Sequence, residues 1–523
     1  MPNLPRLAPI AGLLFAAAGP VAHAQTVPTR NEQPTPISQE QFLALMGRLD
    51  ALEKRNDELE KQVSALRGQA AVADKAIAER TAESKVSMAG GRPTFSSADG
   101  QFTASLRGVA QLDAATYDQD APGPAASDFR RGSLGDATEA ERARDLADGT
   151  NLRRVRLGIE GKAWGDWGYN ILVDFGGSGV EEPGRIISAY VDYAGLKGVR
   201  LRAGAFPQTT GLEDATSSSS TLFLERAVAA ELVRNLAGGD GRTGLAAMAS
   251  GARWSLAGTL TGGVIQSSSF DEQTGFIGRA TFAPVLTKAT VVHLGATANL
   301  VFQPAATGAD IPPAGAATPV RLRERPELRV DGTRLVDTGS IDADGVTALG
   351  LELGLQHRNL SLQGEHFWID VERRAAGLPD PEFSGWYVQG AWTITGEPRR
   401  YSAAAGGFDA PKVEAPFDLA RGTWGVWELA ARYSDLDLDY LAGAAGTAPV
   451  AGAIRGGEQK ILTLGLNWYP NGNVRFLADY QRVDVVRLSP GGTAFGAGGL
   501  TPPAGAQIGQ DYDVWSIRTQ YAF

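Results

Sequence analysis

Between Asn151 and Phe206 the chain alternates apolar residues with arginine at a period of two. In the run Asn151 to Gly161, Val155, Leu157 and Ile159 alternate with Arg154, Arg156, Gly158 and Glu160. From Val199 to Phe206, Val199, Leu201, Ala203 and Ala205 alternate with Arg200, Arg202 and Gly204. Successive side chains of a β-strand point to opposite faces, so each of these strands has one oily face and one cationic face. Two architectures accommodate such strands. A soluble sandwich points the oil at a packed core and the charge at bulk water. A membrane barrel reverses this, with oil against lipid and charge along a wet interior.

The rest of the chain favours the barrel. From Gln101 onward the period stays at two, with Phe102, Ala104, Leu106, Gly108, Ala110 and Leu112 opposing Thr103, Ser105, Arg107, Gln111 and Asp113. About sixteen alternating segments follow, from 101–114 to 511–523, an even number as bacterial barrels require. Some connections are tight, such as Gly165-Asp166, Leu196-Lys197-Gly198 and Asn471-Gly472. Others are long and rich in Gly, Ala, Pro and Asp: 115–150, 302–345, 397–423, 437–458 and 486–510. One end with short turns and another with long loops is the pattern of an outer-membrane barrel. Trp386, Trp392, Trp424, Trp427, Trp468, Tyr469, Trp515 and Tyr521 fall mostly near the expected strand ends, where an interfacial girdle would place them. In the last segment Trp515, Ile517, Thr519, Tyr521 and Phe523 share one face, with Ser516, Arg518 and Gln520 on the other. The fold class expected is therefore all-β, a 16-stranded antiparallel transmembrane barrel preceded by a helix.

Composition removes other classes. With 0 cysteines in 523 residues there is no disulfide framework, CxxC redox motif or cysteine-ligated zinc site. The 4 histidines include no pair at ligand spacing, and no Ser/His/acid arrangement falls on strand ends, so neither a metal nor a cofactor nor an enzyme is expected. Asp342-Ala343-Asp344-Gly345 lacks the later ligands of a calcium loop and reads as a turn. The Gly-rich run near 491–505 reads as loop, since no helix follows to make a phosphate cradle. A net charge of -10 argues against nucleic acid as a partner, which would want a basic face.

The N-terminus carries an export signal at 1–24: Arg6, the apolar run Leu7 to Gly19, and Ala22-His23-Ala24 before Gln25. After a linker at 25–37, Phe42, Leu45, Leu49, Leu52, Asn56, Leu59, Val63 and Leu66 are spaced alternately by three and four. That is a heptad seam, and it places a coiled-coil helix at 38–88, followed by a second linker at 89–100 and the barrel at 101–523. Asn56 occupies an a position, where a buried Asn fixes register and parallel orientation between chains. The seam leaves chain number open, and a single amphipathic helix lying on its own barrel is the alternative.

Several blocks, in order, carry a resemblance over 101–523. They are Arg153-Arg154-Val155-Arg156-Leu157-Gly158, Trp167-Gly168-Tyr169 leading to Asp174-Phe175, and Arg202 to Phe206 before Thr216-Ser217-Ser218. Phe223-Leu224-Glu225-Arg226, Gly241-Arg242-Thr243-Gly244, Thr395-Gly396-Glu397, Trp427 to Ser434, and Gly465 to Pro470 follow. In this order they resemble the phosphate-selective porin (O and P type) family. The resemblance implies a trimeric sixteen-stranded barrel in the bacterial outer membrane, with the third external loop folded inward and arginines stepping anions through. Asn170 stands where the family often has a basic residue, and lysine is scarce, which weakens an expectation of phosphate selectivity.

Arg107, Arg154, Arg156, Arg200, Arg202 and Arg279 all fall on the polar face of their strands, and Arg242 opens another. The stretch from Gln208 to Asp240 lacks alternation, and it presents Arg226 and the Ser217 to Ser220 hydroxyls at the expected constriction. These arginines are the candidate anion-binding, pore-lining residues. Arginine keeps its charge and offers a directed fork to phosphate or carboxylate oxygens. Two unit charges 4 Å apart interact by roughly 4 kcal/mol at an effective dielectric of 20. Several weak sites in series conduct better than one deep well. Glu160, Asp174 and Asp192 share the inner face, so each arginine has pairing with an acid as its alternative. The expected function is passive diffusion of small anions, phosphate or polyphosphate among them. The alternatives are a general or organic-anion porin without phosphate selectivity, or a structural envelope protein whose coiled coil reaches the cell wall or a periplasmic partner.

Overall fold

The computed structural model describes residues 38–121, 123, 128–130, 145–177, 184–265, 271–306, 317–491 and 502–523, with backbone alone for 76–83. The export signal and first linker expected at 1–37 lie outside the described residues, as do parts of the loops at 115–150, 302–345 and 486–510. Two units are distinguished, Met1–Glu79 and Arg80–Phe523.

The first unit is helical. Helix α1 spans Gln39–Glu83 and so ends short of 88. Ser38 Oγ accepts from Gln41 N at 3.2 Å, while Gln41 Oε1 accepts from Ser38 N at 3.3 Å, a reciprocal cap that starts the helix. The seam residues Phe42, Leu45, Leu49, Leu52, Leu59, Val63 and Leu66 are all exposed. Asn56 lies among them, also exposed.

The second unit is a closed antiparallel barrel. Its strands are β1 (Thr103–Gln119), β2 (Gly149–Ala163), β3 (Trp167–Asp174), β4 (Arg185–Leu196), β5 (Val199–Ala205), β6 (Arg242–Ser250), β7 (Trp254–Val264) and β8 (Thr274–Leu286). Next come β9 (Thr290–Gln303), β10 (Ile341–His357), β11 (Leu360–Arg373), β12 (Glu382–Thr393), β13 (Val426–Tyr440), β14 (Ile454–Tyr469), β15 (Val474–Val486) and β16 (Asp511–Ala522). Each pairs with the next, and β16 returns to β1 with Ile517 opposite Ala114. A short strand Ser84–Ser87 pairs with Thr94–Ser97, which in turn pairs with the start of β1, so the expected second linker is partly strand. Phe523 exchanges backbone bonds of 3.0 Å with Gly108 and lays its ring on it; a Cβ at Gly108 would stand 2.4 Å from that ring. Asp342 to Gly345, expected as a turn, instead opens β10, with a bulge between Ala343 and Gly345.

The wall has its oil outside. On β10, Leu351 is 55% exposed and its neighbour Glu352 is 4% exposed. Leu157, Leu245, Leu260, Leu464 and Ile517 are likewise exposed, whereas Asp113, Asn170, Glu428, Arg432 and Arg518 face the enclosed side. A soluble sheet would be stable with the opposite arrangement. At the turn end Trp427 and Trp468 stack at 5.4 Å, Phe476 stacks on Trp468 at 5.4 Å, and Phe417 meets Trp468 edge-on. Two aromatics depart from the expected girdle. Tyr469 is buried inside and donates its hydroxyl to Glu428 at 2.9 Å. Trp386 stands within β12, packed against Tyr433.

The interior is filled unevenly. The connection from β5 to β6 folds inward as α2 (Leu212–Ala215) and α3 (Val228–Leu236). Val228, Ala229, Leu232 and Val233 of α3 pack with Phe367, Phe383 and Leu436 of the wall and with Leu322, Leu328 and Leu335 of the β9–β10 connection. A soluble-type apolar core therefore lies inside the barrel, against the β10–β16 half of its wall. The connection from β12 to β13 was expected among the long loops of the loop end. It lies at the turn end, because β12 runs in the same direction as β2, β4, β6, β8, β10 and β14, which all end in tight turns. Its hairpin, Arg400–Ser402 paired with Gly407–Asp409, reaches inward until Phe408 packs with Leu212 and Val291.

Candidate functional site

The space left open follows the β1–β5 wall. A cavity of about 630 Å³ is lined by Arg107 of β1, by Arg153, Arg154 and Arg156 of β2, by Asn170, Ser188, Tyr190 and Arg202, and by the inward loop from Pro207 to Asp240. Arg325, Arg329 and Arg334 of the β9–β10 connection complete it. A second cavity of about 610 Å³ opens at the turn end, with Arg92, Arg400, Lys412, Arg475, Asn471 and Phe523 in its lining. Both are bordered by Arg107, Arg156, Leu172, Ser217 and Ser218, so they meet there, between the arginine wall and the serine run of the loop.

The loop is held at this point by its carbonyls. Gln111 Nε2 donates to Ser218 O at 3.1 Å, Gln520 Nε2 to Ser219 O at 2.9 Å, and Arg399 Nη2 to Ser220 O at 2.5 Å. Its two helices are tied by buried carboxylates. Glu365 accepts from the amides of Leu212 and Glu213 at 2.7 and 2.9 Å, and Glu327 accepts from Val228 N at 2.8 Å and from Arg432 and Ser434. Anchors this many make the inward loop a fixed element.

The first cavity is strongly cationic. Its lining holds eleven arginines and three carboxylates, Asp214, Glu231 and Asp240. Further acids stand behind the arginines. Arg107 pairs with Glu160 at 3.0 Å, Arg156 with Asp174 at 2.7 Å and Asp240 at 3.2 Å, and Arg202 with Asp192 at 2.7 Å. Arg202 also lies 3.8 Å over the Tyr190 ring. Arg226 donates to Thr216 O at 3.2 Å and lies 3.6 Å from Asp214 and 3.8 Å from Glu231. Arg153 and Arg154 hold Glu225 at 2.7 and 3.2 Å. Burial works to raise the Glu225 carboxyl, and Arg153, Arg154 and Arg518 overcome it, leaving it well below the usual carboxylate range. Burial likewise opposes the charged form of Asp240, but Arg234 and Arg156 keep it ionised. Glu213 goes the other way: burial pushes it up to about 6, against the pull of Arg432.

Of the arginines named from sequence, Arg107, Arg154, Arg156, Arg202 and Arg226 come together in this lining. The other three stand elsewhere. Arg200 is exposed near the turn Lys197-Gly198, 3.9 Å from Asp192. Arg242 is buried and donates to Ala237 O and Gly262 O at 2.8 Å. Arg279 is clamped by Glu352 at 2.7 Å and donates to the carbonyls of Ala405 and Gly406 at the tip of the inward hairpin. His293 reaches the same Glu352 at 3.0 Å and Tyr401 at 2.8 Å, so this cluster fastens the hairpin to the wall.

Sequence reasoning passed over Arg153, Arg185, Arg234, Arg325, Arg329 and Arg334. Arg153 should face outward by alternation, but a bulge opposite Gln111 and Asp113 turns two consecutive arginines inward. The last three belong to a run with arginines at 321, 323, 325, 329 and 334, a density that was visible in the sequence. Among the described residues no group of His, Asp and Glu is arranged to hold a metal ion.

The chain is similar to several known proteins. A family model described as phosphate-selective porin O and P matches residues 127–523, which include β2 to β16. The chain is 28% identical to porin O of Pseudomonas aeruginosa over 358 residues, covering 66% of this chain and 79% of that protein. It is 26% identical over 417 residues to an uncharacterized protein of Caulobacter vibrioides, covering 76% of this chain and 72% of that one. Among solved structures, OmpT, an outer membrane protein of Vibrio cholerae, aligns at a TM-score of 0.45 and 10% identity, over 81% of this chain and 98% of that chain. The chain belongs to the phosphate-selective porin O and P family and is a porin of the bacterial outer membrane.

Proposed function

We propose that the porin passes small anions in general by diffusion along the β1–β5 wall, without strong selectivity for phosphate. The observation that carries this reading is the cavity lined by eleven arginines against three carboxylates. An excess of fixed positive charge concentrates anions and repels cations from a narrow path. The carboxylates behind Arg107, Arg156 and Arg202 make each site shallow, and a shallow site lets the ion leave. Phosphate selectivity is the second reading, favoured by the fork-shaped donors that several adjacent arginines offer to one oxyanion. By orientation of the turns, the loop end faces outward and the turn end faces the periplasm. We further propose a homotrimer with outer-membrane lipid around it, in which the exposed seam of α1, with Asn56, associates between chains or reaches a periplasmic or cell-wall partner.

Reconstitution in planar bilayers tests the central reading. Under a KCl gradient the reversal potential is expected to take the sign of an anion-preferring pore, with added phosphate reducing chloride current only at high concentration. Cation preference would overturn the small-anion reading. Nanomolar block by phosphate would favour the phosphate-selective one. Trimers that persist after deletion of 38–66 would remove the helix from assembly.

A further inference from the structure

We propose that Glu225 is a tethered ligand: the inward loop's own carboxylate fills an anion site built by Arg153, Arg154 and Arg518, and so keeps permeant anions from being held tightly. The proposal rests on the small-anion reading above and adds to it the residue that sets affinity.

The contacts are those of a bound oxyanion. Glu225 Oε1 accepts from Arg153 Nε at 2.7 Å and from Arg518 Nη2 at 2.9 Å. Oε2 accepts from Arg153 Nη2 at 3.1 Å and Arg154 Nη2 at 3.2 Å, with Arg329 Nε at 3.9 Å. A carboxylate or a tetrahedral oxyanion presents the same forked acceptors to guanidinium groups. The site is built and enclosed, with Arg153, Arg154 and Arg518 each buried to 4% exposure or less. Arg154 keeps a buried Nε with no partner beside the occupied Nη2. Arg153, Arg154 and Arg329 also line the first cavity, so the site borders the water path.

The side chain of Glu225 is not what positions the loop here. Leu224 N donates to Asp479 at 2.9 Å, Leu224 O accepts from Arg518 Nη1 at 2.5 Å, and Glu225 O accepts from Arg432 Nη1 at 3.1 Å. The backbone therefore stays pinned when the carboxylate is removed. What changes is charge: the one carboxylate shared by Arg153, Arg154 and Arg518 is lost, while Asp113 still pairs with Arg518 at 2.6 Å. The positive charge gained there suits an oxyanion from the water path.

The test compares wild type with Glu225→Gln and Glu225→Ala, using inorganic phosphate as the probe. In bilayers the phosphate concentration that halves chloride current should fall by at least about tenfold in Glu225→Ala, the change expected when a charge-assisted contact becomes available to the permeant. In detergent, phosphate should raise the melting temperature of Glu225→Ala saturably and leave wild type unmoved. Should Glu225→Ala refold poorly, phosphate in the refolding buffer is expected to restore the yield. An unchanged half-blocking concentration in both variants overturns the assignment, as does a phosphate effect on melting equal in wild type and variant, or a refolding defect that phosphate does not relieve. A cation-selective wild type overturns the small-anion reading itself. An anion-selective wild type with unaltered block in the variants overturns only the role of Glu225.

Discussion

Arginine at an inner-wall position means different things according to its partners. Arg156 and Arg279 share the same strand face by alternation, yet Arg156 borders both cavities while Arg279 is buried between Glu352 and two loop carbonyls. Arg156→Gln is expected to lower anion current by about fivefold, the effect of losing roughly 1 kcal/mol of solvent-screened attraction at 4 Å. Arg279→Gln should leave selectivity intact and loosen the inward hairpin, which limited proteolysis between 400 and 409 would detect. Glu213 supplies a pH signature. With its carboxyl pushed up to about 6 by burial, acidification from pH 7.5 to 5 adds a proton and removes one negative charge beside the constriction. Anion preference should then increase as pH falls through 6, and Glu213→Gln should remove that part of the dependence. At this scale the sequence showed which face a side chain takes. It did not show the bulge that brings Arg153 inward, nor the carboxylate that removes Arg279 from the water path, because both depend on pairing across strands far apart in the chain.

Whole elements were read with more success, since the two-residue period is a local property of each strand. All sixteen strands appear where alternation placed them, several extended towards the loop end, as in β10 from Ile341 and β13 to Tyr440. The β12–β13 connection was misplaced by judging length alone. Counting strand parity places it at the turn end with Gly165, Gly198 and Asn471, so that information was present in the sequence. Helix α3 was not foreseen, because its apolar face packs against a wall that a simple barrel keeps polar. The apolar inner residues Ile341, Val346, Ile461 and Val483 make sense only once that helix is in place. Leu232→Ala should therefore cost about 2–5 kcal/mol in unfolding free energy, as in a soluble core. Urea unfolding in lipid vesicles measures this, and a loss below 1 kcal/mol would mean that α3 is loosely held.

For the molecule as a whole, the decisive property is which face of the sheet meets hydrocarbon. Leu351, in the middle of β10 and more than half exposed, should tolerate no charge: Leu351→Arg is expected to cost roughly 2–4 kcal/mol in a bilayer. The same substitution on the solvent face of a soluble sheet would be nearly neutral. Inside, one half is packed and the other, lined by arginine, holds the proposed water path. With no native cysteine, single thiols report on this division without background. The most direct measurement introduces Ser217→Cys, where the two cavities meet, and Val485→Cys, in the packed half, and applies an anionic thiosulfonate during bilayer recording. Current through Ser217→Cys should fall within the exposure and stay unchanged in Val485→Cys. Modification at 485 with 217 left unreactive would put the water path on the wrong side of the barrel and contradict the account.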